Sequence, residues 1–181
     1  MTMRSLALLV LLSVVGCSSA ASDGVPDDTD GPQPVAVACA GLSVGDPNPP
    51  SELGTCSGGF ALGEGFTPKQ VADIRDAGYG WNKFAGRGLV HFGAASNCAI
   101  MAGKLPAGQI AEQKDGVITI DVSSLSDADT VFFRYVVMHE IGRALGLTPK
   151  SAGPGVMSAC SSDPWFSEAE LKECRNLGLC Y

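Results

Sequence analysis

Residues 131–149 read Val131-Phe132-Phe133-Arg134-Tyr135-Val136-Val137-Met138-His139-Glu140-Ile141-Gly142-Arg143-Ala144-Leu145-Gly146-Leu147-Thr148-Pro149. From Val131 to Leu145 the apolar residues leave almost no polar stripe, so a helix there is buried on all sides and central to its domain. Ser126 or Asp127 is placed to cap it, and Asp129 lies near its positive end. Gly146 can stop it in a left-handed conformation. Three polar residues of this helix, His139, Glu140 and Arg143, therefore sit where a core is expected. Only 2 His occur in all 181 residues, so a site of three imidazoles from one chain is excluded at the outset.

Working outward, Thr67 is a plausible N-cap with Pro68 at the first helical position, followed by Val71, Ile74, Trp81 and Phe84 at near-helical spacing. Gly78 and Gly80 weaken its middle, so it ends there or continues irregularly. Leu89 to Phe92 and Gln109 to Gln113 read as short strands. Lys114-Asp115-Gly116 reads as a turn, and Val117 to Val122 alternates as a strand does. Ser167 caps a last helix, Glu168 to about Leu177, with its acids first and Arg175 near the end. The order of helix, strands, long buried helix and terminal helix predicts an α+β domain. Residues 35–65 carry two Cys and many Gly and Pro, and read as a loop-rich, disulfide-tied approach to the domain proper at 66–181.

The composition bounds the function. With 19 acidic and 12 basic residues the formal net charge is −7, which argues against nucleic acid, whose phosphates call for clustered Lys and Arg. Gly and Pro make up about a fifth of the chain, so loops are extensive. At the N-terminus, Arg4 precedes an apolar stretch from Leu6 to Val15 broken only by Ser13. It is shorter than the ~20 residues a spanning helix needs, so residues 1–16 read as a signal peptide. Val14-Val15-Gly16-Cys17 resembles the lipobox of bacterial lipoproteins, which implies a diacylglycerol thioether on Cys17 and a membrane anchor. Ser18 after it resembles the outer-membrane sorting signal. The alternative is an ordinary secretory peptide cleaved after Ala20 or Ala21. Residues 17–34 are nearly all small, polar or Pro, and read as a flexible tether.

Cysteine parity agrees with lipidation. The chain has 7 Cys, and removing Cys17 leaves six that can close three disulfides in an oxidising envelope compartment. Proximity in sequence suggests Cys39 with Cys56, and Cys160 with Cys174 or Cys180.

His139 to Pro149 resembles the zinc helix of the metzincin metallopeptidases, more narrowly the matrixin and astacin-like branch, whose motif is H-E-x-x-H-x-x-G-x-x-H followed by a methionine turn. His139-Glu140-Ile141-Gly142-Arg143-Ala144-Leu145-Gly146-Leu147 keeps eight of nine residues of a common version of it. Val156-Met157-Ser158 resembles the methionine turn, and the stretch from Phe166 to Cys174 resembles the helix after it. The resemblance implies a zincin-type fold, with His139 as a zinc ligand and Glu140 as the base that takes a proton from metal-bound water.

Two ligand positions break the pattern. The second is Arg143 and the third Pro149. Proline offers no side-chain donor, and arginine is always cationic. Two like unit charges about 4 Å apart repel by about 4 kcal/mol at an effective dielectric near 20, and a divalent ion feels about twice that. Zn²⁺ should therefore be lost or held weakly. Substitute ligands are His91, on its strand, and Asp163, beyond the methionine turn. Glu140 can instead pair with Arg143 at i, i+3 and fill the vacated space with an ion pair. Two functions follow: a degenerate pseudopeptidase that binds peptide or protein without cutting it, or a working zinc endopeptidase with non-standard ligation. His-to-Arg and His-to-Pro are also single-base changes, so gene decay would leave the same pattern.

Overall fold

The computed structural model describes residues 56–125, 129–150, 153–158 and 165–181. The signal peptide at 1–16, Cys17, the tether at 17–34, residues 35–55, the helix-cap candidates Ser126 and Asp127, Cys160 and Asp163 lie outside the described residues.

Three helices carry the predicted signals. Helix α1 spans Pro68–Ala85, with Thr67 and Gln70 forming a reciprocal capping box at its start and Gly86 ending it in the left-handed region. It runs unbroken through Gly78 and Gly80. A Cβ at Gly78 would lie 2.7 Å from the Phe92 ring, so close packing against the sheet explains that glycine. Helix α2 spans Thr130–Ala144 and is capped by Asp129, whose carboxylate accepts from Phe132 N at 2.9 Å. Gly142 O accepts from Leu147 N and Arg143 O from Gly146 N, both at 2.9 Å, and Gly146 has φ +101°. That is a Schellman ending, which places Gly146 where a side chain would be strained. Helix α3 spans Glu168–Asn176 behind a second capping box, Ser167 with Glu170.

The sheet has five strands: β1 Gly59–Leu62, β2 His91–Phe92, β3 Cys98–Ala102, β4 Ala111–Lys114 and β5 Val117–Ile120. Their order is β2-β1-β3-β5-β4, parallel except for β4, the antiparallel edge. Asp115 and Gly116 both have positive φ in the two-residue turn joining β4 to β5, as an Asp-Gly hairpin requires. Two strands are shorter than expected: β2 begins at His91 rather than Leu89, and β5 stops at Ile120, with Val122 entering a single 3-10 turn. Strand β4 is shifted, running from Ala111 to Lys114. The core gathers Phe60, Ile100, Ile118 and Ile120 from the sheet with Ile74 and Trp81 from α1 and Val136, Val137 and Ile141 from α2.

The disulfides depart from expectation. Cys56 pairs with Cys98 and Cys174 with Cys180; these replace Cys39–Cys56 and a bridge from Cys160 to the C-terminal cysteines. The reason is topological. Strands β1 and β3 are neighbours, with Phe60 opposite Cys98, so Cys56, just ahead of β1, lies beside Cys98 although far from it in sequence. The 35–65 segment is therefore not loop throughout, since β1 falls within it and pairs on both sides. Among the described residues no helix is long and apolar enough to cross a membrane.

Candidate functional site

Helix α2 buries every residue from Tyr135 to Ala144, so its polar side chains must find partners inside the protein or be left without them. His139 and Glu140 have no exposed surface and Arg143 is 3% exposed. Arg143 Nη1 donates to Glu140 Oε2 at 3.1 Å and reaches Oε1 at 3.4 Å. The i, i+3 spacing thus produces the buried ion pair expected from it. Arg143 Nε has no hydrogen-bond partner.

His139 Nδ1 lies 2.9 Å from Val156 O. A ring nitrogen facing a carbonyl must carry the proton, so Nδ1 donates and the bare nitrogen is Nε2, which is buried without a partner. One turn earlier, the Tyr135 hydroxyl donates to Ser158 O, and burial pushes that phenol up to about 12. The turn at 153–158 thus lies against the His139 face of α2. Gly142 permits this approach: a Cβ there would meet Met157 Sδ and lie 2.8 Å from Trp81 Cζ2.

The charges respond to burial in opposite directions. Desolvation pushes Glu140 from 4.5 up to about 7; Arg143 pulls it back down, and Glu112 on β4 adds a smaller upward push. Desolvation likewise holds His139 down, from 6.5 to about 4. The stability contribution of Glu140 is present below about 4.5 and lost as pH rises through about 7; that of His139 is present above about 6.5 and lost as pH falls through about 4. Between these limits the two slopes oppose each other. A His139→Gln variant should therefore unmask the Glu140 slope and lose about 2 kcal/mol more than the native chain between pH 5 and pH 7. Urea midpoints at the two pH values measure this, and identical profiles for variant and native chain would refute it.

The other site candidates are dispersed. His91 sits on the two-residue edge strand β2 and is exposed; its imidazole lies over Gly59. Pro149 is half-buried in the loop after the helix stop. Met157 is fully buried beneath α2. Sequence reasoning missed Glu170. Its carboxylate accepts from Met157 N and Ser167 N, each at 2.6 Å, with no exposed surface. The signal was present as Ser167-Glu168-Ala169-Glu170, a capping-box sequence.

These residues do not fit a zinc centre. Structural zinc takes four protein ligands and catalytic zinc three, and no group of three or more His, Cys, Asp or Glu able to hold a metal occurs among the described residues. Within helix α2, His139 Nε2 is the bare nitrogen donor, and the Arg143 guanidinium one turn along the helix opposes a cation.

No family model matches the chain, and no curated relative does. Solved structures do. The crystal structure of myroilysin is 12% identical and covers 85% of this chain and 99% of its own, with a TM-score of 0.54. Archaemetzincin from Methanopyrus kandleri, also 12% identical, covers 66% of this chain and 93% of its own, with a TM-score of 0.46. The myroilysin likeness establishes architecture alone, and the fold is that of the zincin-like metallopeptidases.

Proposed function

We propose that this chain is a degenerate metallopeptidase-fold protein of the bacterial envelope, tethered through lipid on Cys17, in the outer membrane, and binding peptide or protein without hydrolysing it. The observation that carries the reading is the Arg143 guanidinium on the Glu140 carboxylate at 3.1 Å inside the core. The residue that would act as general base is engaged by a fixed internal cation, and that cation stands at a ligand position of the resembled motif. The guanidinium lowers the proton affinity that burial alone would give this carboxylate and ties it inside the core, and a divalent ion brought beside Arg143 would be repelled. The acidic net charge of −7 supports a partner other than nucleic acid. One observation favours the second reading, a zinc endopeptidase with unusual ligation: His139 Nε2 is buried and unpartnered.

Purified full-length protein separates the two readings. The native chain should carry far less than one zinc per molecule and show no chelator-sensitive peptide hydrolysis, while Arg143→His with Pro149→His should gain zinc. Stoichiometric zinc with chelator-sensitive hydrolysis in the native chain would sink the pseudopeptidase reading. In fractionated cells expressing the full chain, Cys17→Ala should move the protein out of the membrane fraction; unchanged membrane association would remove the lipid tether.

A further inference from the structure

Helices α1 and α2 do not close against each other along their whole length. A cavity of ≈ 540 Å³ opens between them, within the size range of small-molecule sites, which are mostly apolar and carry a few convergent polar groups. None of His139, Glu140 and Arg143 lines it. Its walls include Phe84 from α1, Tyr135 and Met138 from α2, and Phe166 from the approach to α3. The Tyr135 hydroxyl is committed to Ser158 O, so this residue offers the cavity its ring. At the mouth, Val131 and Trp165 are exposed, at 49% and 72%, and solvent-facing apolar groups at the rim of a concavity mark a binding surface more than a folding surface.

Gly80 shows that the hollow is not forced by packing. It lines the cavity from the interior of α1, where glycine is less stable than alanine. Its φ is not in the left-handed region, and a Cβ there would meet Met138 Cε at 3.4 Å, an ordinary contact. Gly78, two residues earlier, is by contrast excluded from bearing a side chain by Phe92. The helix thus carries a glycine that no neighbour demands, at the place where any larger side chain would fill the space.

The charges at the mouth select the head group. Arg134 is balanced by Asp73 at 3.5 Å and Asp76 at 3.7 Å. Lys83, on the α1 wall, has no hydrogen-bond or ionic partner among the described residues. An apolar cavity with one uncompensated cation at its edge complements an apolar body bearing a single negative charge. We propose that this cavity binds a free apolar monocarboxylate of medium-chain fatty-acid size, with its chain against Tyr135, Met138 and Phe166 and its carboxylate at Lys83.

The probe is decanoate, titrated into the full chain and read by calorimetry and by tryptophan fluorescence, since one of the 2 Trp, Trp165, lines the cavity. Decanoate should bind saturably at one site, and decanol about tenfold more weakly, for want of the Lys83 contact. Lys83→Gln should bring decanoate down to the decanol affinity and leave decanol unchanged. Gly80→Leu should abolish binding of both, with its folding checked by circular dichroism; should it fail to fold, the Lys83→Gln comparison, at an exposed position, decides alone. The proposal is overturned by the absence of saturable decanoate binding, by equal decanoate affinity in Lys83→Gln, or by undiminished binding in a folded Gly80→Leu. It is overturned too if an apolar peptide with a free C-terminal carboxylate binds far more tightly than decanoate, because the occupant is then a peptide end.

Discussion

Replacing Arg143 with Met should destabilise the protein by about 3 kcal/mol at pH 9, and the loss should shrink to less than half of that at pH 7. Removing one member of a buried ion pair leaves the other charged in a place that does not tolerate charge. Glu140 has an escape, which is to take up a proton. Holding it protonated at pH 9, where the native carboxyl with its value of about 7 is ionised, costs about 3 kcal/mol more than in the native chain, because each pH unit above that value is worth about 1.4 kcal/mol. That sets the ceiling on the charge penalty, and the penalty vanishes as pH falls below about 7. In a Glu140→Gln background the same Arg143→Met change should cost less than about 1 kcal/mol, since no charge remains to be stranded. A double-mutant cycle by urea unfolding at both pH values measures the difference. An Arg143→Met penalty that is independent of pH, or equal in the two backgrounds, would show that Arg143 acts through its packing volume and not through Glu140.

How far these features can be read without coordinates depends on whether the signal is local. The caps are local: Thr67-Pro68, Ser167 and Gly146 mark helix ends that the structure reproduces. The Arg143–Glu140 pair is one helical turn and was legible from spacing alone. Strands β1 and β3 were not. Gly59-Phe60-Ala61-Leu62 and Cys98-Ala99-Ile100-Met101-Ala102 are short parallel strands, poor in β-branched residues and without polar–apolar alternation, so neither periodicity nor propensity announces them. The disulfide error followed directly, because only the β1–β3 pairing brings Cys56 to Cys98. The Val156 carbonyl on His139 is likewise a long-range contact. It is made by a backbone atom, which no residue type betrays.

Glu170→Ala should cost about 3–5 kcal/mol and also release His139, because one peptide unit carries both effects. The Val156–Met157 peptide is held at its two ends. Its N–H donates to Glu170 Oε1 at 2.6 Å, and its C=O accepts from His139 Nδ1 at 2.9 Å. The other carboxylate oxygen accepts from Ser167 N, so the same side chain also caps α3. Nothing else can enter this space: Gly155 has φ +112°, and a Cβ there would lie 2.6 Å from Glu170 Cδ. Truncating Glu170 strands two N–H groups, each at about 1–3 kcal/mol, and frees the peptide plane to rotate. Glu170→Gln keeps one acceptor where two are used, so about half the loss is expected. Gly155→Ala should resemble Glu170→Ala, since its methyl group would displace the carboxylate. With 2 His in the chain, imidazole nitrogen spectra distinguish the exposed His91 from the buried His139 without ambiguity. The His139 signals should leave the single Nδ1–H tautomer in Glu170→Ala and Gly155→Ala and stay in it in the native chain. A stability loss with His139 unchanged would mean that Glu170 serves only as the cap of α3. A loss below about 1 kcal/mol would mean that the turn is held elsewhere.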